Sequence, residues 1–145
     1  MTEQRVPSGF GPIFRSSPFL DSIGTFYSKG MGADMVLGVF VDDRAVNARG
    51  TVHGGFLCAL ADVALGYVLA TSQDPPLRIT TVSLSVDFAG SAKVGDWIEA
   101  RVDIQRVGGQ VAYANAYLYV NDKRIVRASG VFVRVPSSPD DGGAT

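Results

Sequence analysis

The stretch Val46–Asp62, VNARGTVHGGFLCALAD, decides how this chain folds. It holds the only histidine of the chain, His53, then two glycines, and it opens an apolar run that extends over Gly54–Ala70. Apolar residues occur on almost every side of the predicted helix, which is typical of a helix buried on most sides, about 25 Å long. Those at helical spacing are Leu57, Leu60, Ala61, Ala64, Leu65 and Val68.

The hydrophobic period changes after this helix. Alternation of apolar and polar residues predicts four strands, at Thr80–Phe88, Trp97–Arg106, Gln110–Val120 and Arg124–Val135. Ahead of the helix, Asp34–Val41 predicts another strand and Ser17–Ser28 a short helix that starts after Pro18. Short links between the last four strands indicate antiparallel hairpins. The predicted fold class is α+β, an antiparallel sheet wrapped around one long central helix.

Length and composition limit the classes of function. The 145 residues fit one domain, predicted at 17–135, with a flexible arm at 1–16 and a disordered tail at 136–145. A net charge of −1 does not favour a nucleic-acid partner. One histidine and one cysteine do not supply the ligands of a zinc site, so no metal is predicted. The single cysteine, with no signal peptide or membrane span, predicts a cytoplasmic protein that does not enter a membrane.

Asp62 is a carboxylate inside the apolar helix, where a buried charge needs partners. Its neighbours three and four positions away are Cys58, Ala59, Leu65 and Gly66, none of which can pair with it. Asp62 therefore finds a partner elsewhere or faces a cavity. The alternatives are an exposed carboxylate at the helix edge or one that caps a nearby loop.

The glycines after His53 start the helix, where free N–H groups favour negative charge, including a developing oxyanion. The alternative is a glycine-rich helix start whose histidine only bonds the loop. His53 and Asp62 are nine residues apart, about 13 Å along a helix, whereas catalytic groups must meet at hydrogen-bond distance. A second copy with an antiparallel helix would bring its Asp62 over Gly54, so the spacing predicts a site shared between two chains.

The pattern N-x-x-G-x-x-H-G-G, at Asn47, Gly50, His53, Gly54 and Gly55, with an Asp nine residues after the His, resembles the hotdog-fold acyl-CoA thioesterases. The resemblance extends through VDFAGSAKVGDWIEARV and RVGGQVAYANAYLYVNDKRIVRASGVFV, and is closest to the PaaI-type branch of phenylacetate degradation. It implies a hotdog fold, homodimers with a joint sheet and a dimer of dimers, a homotetramer.

The resemblance also implies catalytic roles. Asp62 attacks the thioester or activates water, and the Gly54 N–H of the facing subunit polarises the carbonyl. Asn47 holds the carbonyl or the water, and His53 positions the loop. Thr81 carries a hydroxyl that orients the water.

Because Thr80 precedes Thr81, the residue that matches this hydroxyl position of the family is either Thr80 or Thr81. The strand alternation places Thr81 on the polar face, opposite Val82 and Leu84.

The substrate-binding residues implied by the resemblance surround a coenzyme A that is part of the substrate, so no separate cofactor is expected. They are Gly55, Gly90, Ser91, Lys93, Arg106, Gly108, Gly109 and Arg134. Relatives carry a basic residue where this chain has Gly109. An acyl pocket that would suit aryl or medium-chain acyl groups is expected around Phe14, Phe19, Phe26, Phe56, Leu57, Leu65 and Tyr67.

Two other functions compete with thioester hydrolysis. A hotdog-fold enoyl/hydroxyacyl hydratase or dehydratase uses a His–carboxylate pair, which the nine-residue separation argues against. A non-catalytic acyl-CoA-binding protein would not need Asp62, Asn47 and the glycines together.

Overall fold

The computed structural model describes residues 4–136, arranged as seven strands and two α-helices. Two 3₁₀ turns, Gly32–Asp34 and Asp43–Ala45, join the first elements. The helices are α1, Pro18–Ile23, and α2, Gly54–Thr71. The strands are β1 Gly11–Pro12, β2 Phe26–Lys29, β3 Val36–Phe40, β4 Ile79–Phe88, β5 Trp97–Val107, β6 Val111–Val120 and β7 Lys123–Arg134.

All neighbouring strands are antiparallel, in the order β1-β2-β3-β5-β6-β7-β4. The hairpins β5–β6 and β6–β7 are as predicted, but the prediction of a β4–β5 hairpin is wrong because β4 pairs with β7. The link after β4 bonds elsewhere: Ala89 N–H donates to the Ile125 carbonyl, and Val52 N–H donates to the Ala92 carbonyl. β4 therefore ends the sheet, and its outer edge carries no partner strand within residues 4–136.

The N-terminal region holds more sheet than the sequence indicates. Ser17 Oγ accepts the Leu20 N–H and caps α1, which ends at Gly24, so the helix predicted over Ser17–Ser28 is shorter. The chain then forms β2, whose pairing with β3 outweighs local helix preference. β1 adds residues of the predicted arm to the sheet. The predicted tail lies, apart from Pro136, outside the described residues.

The sheet wraps around α2, which confirms the central helix. α2 is long and apolar enough to cross a membrane by length and composition, a test that the core helix of a soluble protein also passes. Its buried side chains face the sheet: Phe56, Leu57, Leu60, Ala61, Ala64, Leu65, Val68 and Leu69. The opposite side of α2 is a stripe of small and polar residues that are not fully buried: Gly55, Ala59, Asp62, Gly66 and Ala70.

Candidate active site

The start of α2 presents one free backbone donor. Of the first four N–H groups, those of Phe56 and Leu57 donate to the His53 carbonyl at 3.0 and 3.2 Å. The Gly55 N–H donates to His53 Nδ1 at 2.8 Å. Within residues 4–136 the Gly54 N–H has no acceptor. It is therefore an unpaired donor at the positive end of the helix dipole, suited to a partial negative charge.

The His53 side chain acts as the N-cap of α2. Because Nδ1 accepts the Gly55 N–H, the ring in this arrangement is neutral with its proton on Nε2. The same bond occupies the N–H of Gly55, and the predicted contact of Gly55 with substrate stays a prediction. This geometry agrees with the predicted role of His53 in positioning the loop.

Asp62 has a hydrogen-bond partner on β4. Thr81 Oγ1 donates to Asp62 Oδ1 at 2.7 Å, while Oδ2 has no donor within residues 4–136. A carboxylate held through one oxygen keeps the other available to a ligand. Asp62 therefore finds outside α2 the partner that its helix neighbours cannot provide. That partner is Thr81, which resolves the choice between Thr81 and Thr80.

A β-bulge turns Thr81 toward α2. Thr81 pairs with the buried Phe132 of β7, and the ladder then skips Val82 before it resumes. This extra residue places Thr81 on the same sheet face as Leu84. The predicted position of Thr81 on the polar face opposite Leu84 is therefore wrong, since unbroken alternation would have aimed its hydroxyl away from Asp62.

Gly54 and Asp62 lie at opposite ends of β4. A Cβ placed on Gly54 would lie 3.5 Å from Cζ of Phe88, the last residue of β4. Asp62 contacts Thr81 near the beginning of that strand. Eight residues separate Gly54 from Asp62, about 12 Å along α2. Within one chain the free N–H and the carboxylate therefore do not reach the same atom.

The Asn47 side chain is bonded within its own loop. Its Oδ1 accepts N–H groups of Arg49 and Thr51 at 2.9 and 3.3 Å, and its Nδ2 donates to Thr51 Oγ1 at 2.9 Å. Gly50, with φ of +82°, completes this turn in the left-handed region that favours glycine. These bonds hold the loop before α2, and the predicted contact of Asn47 with the substrate stays a prediction.

The predicted coenzyme A residues form two groups at opposite ends of the sheet. The turn with Gly90, Ser91 and Lys93 lies beside the loop before α2, where Thr51 and Lys93 form a β-bridge. The second group lies where β4 begins: Arg106, Gly108, Gly109 and Arg134. The nine steps along β4 between these ends span about 30 Å. One chain therefore does not bring the two groups together.

Gly108 has a structural role. Its N–H donates to the Val111 carbonyl at 2.9 Å, and a Cβ there would lie 2.8 Å from the same oxygen. The N–H of Gly108 is therefore paired within this turn, and the predicted contact of Gly108 with coenzyme A stays a prediction. At Gly109 a Cβ would meet nothing within 4 Å, so that position is open.

A groove of about 340 Å³ lies between α1 and the first turns of α2. Its lining residues are Phe19, Ile23, Arg44, Val46, His53, Gly55, Phe56 and Ala59. Phe19 and Phe56 were predicted for the acyl pocket. Leu57, Leu65 and Phe26 belong to the core instead, because the helix face that carries the two leucines meets the sheet.

Phe14 and Tyr67, also predicted for the pocket, pack together with ring centroids 5.1 Å apart. The Tyr67 hydroxyl donates to the Arg15 carbonyl at 3.2 Å. Burial raises the pKa of Tyr67, so the phenol remains a donor at neutral pH. This contact fastens the N-terminal segment to α2, outside the groove lining.

Arg44 is a groove residue that the sequence analysis did not find. Its guanidinium donates to both carboxylate oxygens of Asp42, to the Asp21 carbonyl at 2.8 Å and to Thr25 Oγ1 at 3.3 Å. The hydrogen bonds from Arg44 hold the pKa of Asp42 below its usual value. Arg44 thus ties the end of α1 to the 3₁₀ turn before α2. The sequence feature that could have indicated this contact is the two-residue spacing of the oppositely charged Asp42 and Arg44.

Comparison with known proteins places this geometry in a family. A family model described as the thioesterase superfamily matches residues 49–126, and the chain belongs to that superfamily. The Pseudomonas aeruginosa protein PA0474, whose name provisionally assigns it as an esterase, is 44% identical over 128 residues, 88% of this chain and 96% of that protein. The chain is therefore a thioester hydrolase.

Solved structures confirm the fold. A hypothetical thioesterase of Streptococcus pneumoniae, solved with coenzyme A, has a TM-score of 0.74 at 17% identity and covers 81% of this chain and 91% of its own. PaaI of Escherichia coli, from the phenylacetic acid degradation operon, has a TM-score of 0.71 at 21% identity. The match covers 78% of this chain and 81% of the PaaI chain. The hotdog fold and the PaaI-like architecture expected from the sequence are therefore confirmed.

Proposed function

We propose that this enzyme hydrolyses aryl- or medium-chain acyl-CoA thioesters at a site shared by two subunits. Asp62 is the nucleophile or general base, and the Gly54 N–H of the facing subunit is the oxyanion donor. The observation that carries the proposal is that the same helix has an unpaired N–H donor at its start and, further along, a carboxylate oriented by Thr81.

The reaction follows from these two groups. The thioester carbonyl accepts the Gly54 N–H, and the helix dipole stabilises the negative charge that develops on its oxygen. Asp62 either attacks the carbonyl carbon or removes a proton from an attacking water. The carbon–sulfur bond then breaks, coenzyme A leaves as the thiolate and takes up a proton, and water supplies the second oxygen of the free acid.

The edge of β4 provides the way to bring the two groups together. An open ten-residue edge pairs readily with another strand, and two-fold antiparallel pairing with a second copy would join the two sheets. Such pairing sets the Thr81 end of one β4 beside the partner's Phe88 end. Asp62 of one subunit would then approach the partner's Gly54.

The same pairing accounts for the separated coenzyme A groups. The end with Lys93 would approach the partner's end that carries Arg106 and Arg134, so phosphate contacts would come from both subunits. We place this dimer within a dimer of dimers, in the cytoplasm and, by similarity to PaaI, in aryl-acid breakdown such as phenylacetate degradation.

The groove between α1 and α2 is the proposed acyl site. It begins at His53 and Gly55, on either side of the oxyanion donor, and its walls include Phe19 and Phe56. Its volume of about 340 Å³ lies within the range of small-molecule sites, and its apolar lining suits an aryl or medium-chain group.

The experiment that tests this function is release of coenzyme A thiol from a panel of aryl and fatty acyl-CoAs. Gly54→Pro removes the N–H while keeping the helix start, because proline is favoured at the first position of a helix and His53 already has the extended backbone it requires. We expect about a hundredfold loss of kcat in Gly54→Pro.

Gly54→Ala is the matched control, since it keeps the N–H and its Cβ fits 3.5 Å from Phe88. It should retain most of the activity. No release from any acyl-CoA by the wild-type protein would reject the proposed function in favour of acyl-CoA binding without turnover.

A further inference from the structure

Phe88 is a large apolar side chain with no core role. It ends β4, and 54% of its surface is exposed in the protomer. Its alternation partners on the strand, Leu84 and Val86, are both more buried and pack against the core. An exposed aromatic residue at the end of an open edge strand indicates contact with something outside the protomer.

The Phe88 ring lies over the first residue of α2. A Cβ built on Gly54 would be 3.5 and 3.6 Å from ring atoms Cζ and Cε1, which is ordinary contact distance. The protein itself therefore has room for a methyl group at this position. The ring therefore lies next to the residue that carries the unpaired N–H, and an oxygen bound to that N–H would lie near the ring.

We infer that Phe88 is a substrate-contacting residue of the thioesterase, whose ring shields the hydrogen bond between the Gly54 N–H and the thioester oxygen from water. The inference rests on the proposed function and adds a residue to it. A hydrogen bond to a developing oxyanion is stronger where water is excluded, since the local dielectric constant is lower. In the proposed joint sheet, Phe88 at the end of β4 would lie beside the partner's Thr81 end, so the ring would border the Asp62 that comes across the two-fold axis.

Steady-state kinetics of Phe88 variants test the role. We expect Phe88→Ala to lower kcat about tenfold and Phe88→Tyr, which keeps the ring, to stay within about twofold of wild type. Tyr113→Ala is the matched control, because Tyr113 is an exposed aromatic residue whose strand neighbours Ala112 and Ala114 are buried on the opposite face. It should keep the wild-type kcat. Light scattering must show the same mass for all four proteins.

A second measurement does not depend on turnover. In a Trp97→Phe background, Phe88→Trp provides a single tryptophan, whose emission can be excited selectively, since Trp97 is the only tryptophan of the chain. Saturation with a non-hydrolysable thioether analogue of the best acyl-CoA should shift its emission. A silent probe at saturation, or Phe88→Ala with wild-type kcat and mass, would overturn the inference.

The outcomes separate the two proposals. Normal wild-type turnover with an unaffected Phe88→Ala variant rejects the role of Phe88 alone. An emission shift without turnover keeps Phe88 at the ligand and rejects hydrolysis. Neither binding nor turnover with any acyl-CoA rejects both.

Discussion

At the scale of single residues, one hydroxyl orients the Asp62 carboxylate. Thr81→Val keeps the shape of the side chain but removes the donor 2.7 Å from Oδ1, so the carboxylate loses its fixed orientation. We expect Thr81→Val to lower kcat about tenfold. Asp62→Asn, which removes the charge itself, should lower kcat by about a thousandfold. Both values are measured as thiol release at saturating acyl-CoA.

Thr81→Ser is the matched control, because it restores the hydroxyl and should recover most of the activity. Wild-type kcat in Thr81→Val, with a folded protein by circular dichroism, would contradict the role of this contact.

His53 gives the second prediction at this scale. His53→Ala leaves the Gly55 N–H without its cap, and loss of an N-cap lowers the free energy of unfolding by about 1 kcal/mol. His53→Asn restores a good cap, so it should recover both the stability in urea and at least about a third of the activity. A hundredfold loss of kcat in a stable His53→Asn protein would show instead that the imidazole takes part in the chemistry.

At the scale of elements, Arg44 holds α1 against the groove through Asp42. Because the pKa of Asp42 is lowered in the folded state, this contact contributes stability above the unfolded value near 3.8 and loses it as the pH falls through the folded value. We expect wild type to be more stable than Asp42→Asn at pH 6 and the difference to shrink below about pH 4.

Thermal unfolding followed by circular dichroism from pH 7 to pH 3 measures this difference. The control is Asp43→Asn, a neighbouring exposed carboxylate in the same 3₁₀ turn, which should show no such loss. A constant difference between wild type and Asp42→Asn across this pH range would contradict the contact's role.

The sequence predicted the elements better than their arrangement. α2 and the strands after it carry strong periodic patterns, and their predicted bounds agree with the structure within one residue at each end. The order of the strands in the sheet cannot be predicted from the alternation of apolar and polar residues. β4 reaches β7 because the loop at 89–96 bonds to Ile125 and Val52, contacts that join residues far apart in sequence.

The site was predictable where one residue type was out of place. Asp62 in an apolar helix and two glycines after His53 were visible, and both lie where a ligand can reach them. Thr81 was found by resemblance, while its orientation depends on a bulge that alternation does not indicate. The role of Phe88 was missed because the residue continues the apolar side of its strand. By that pattern it is predicted to be buried, whereas the fold leaves it exposed.

At the scale of the whole molecule, two incomplete features lie near each other. β4 has an open edge, and α2 turns its stripe of small residues away from the sheet. Small side chains let a neighbouring chain approach the helix closely. The proposed two-fold axis near the middle of β4 would satisfy both features and would place each Asp62 toward the other subunit's Gly54.

Subunit complementation tests that arrangement. We expect Asp62→Asn and Gly54→Pro chains each to keep about 1% or less of the activity alone, whereas a mixed dimer would contain one site with a wild-type Asp62 and a wild-type Gly54. Random mixing makes half of the dimers mixed, each with one intact site of two, so unfolding and refolding an equimolar mixture should restore about a quarter of the wild-type activity. Two chains with the same Asp62→Asn change are the control and should restore none. Light scattering should give at least twice the 15.3 kDa of one chain, and an inactive mixture of that mass would show that each site lies within one subunit.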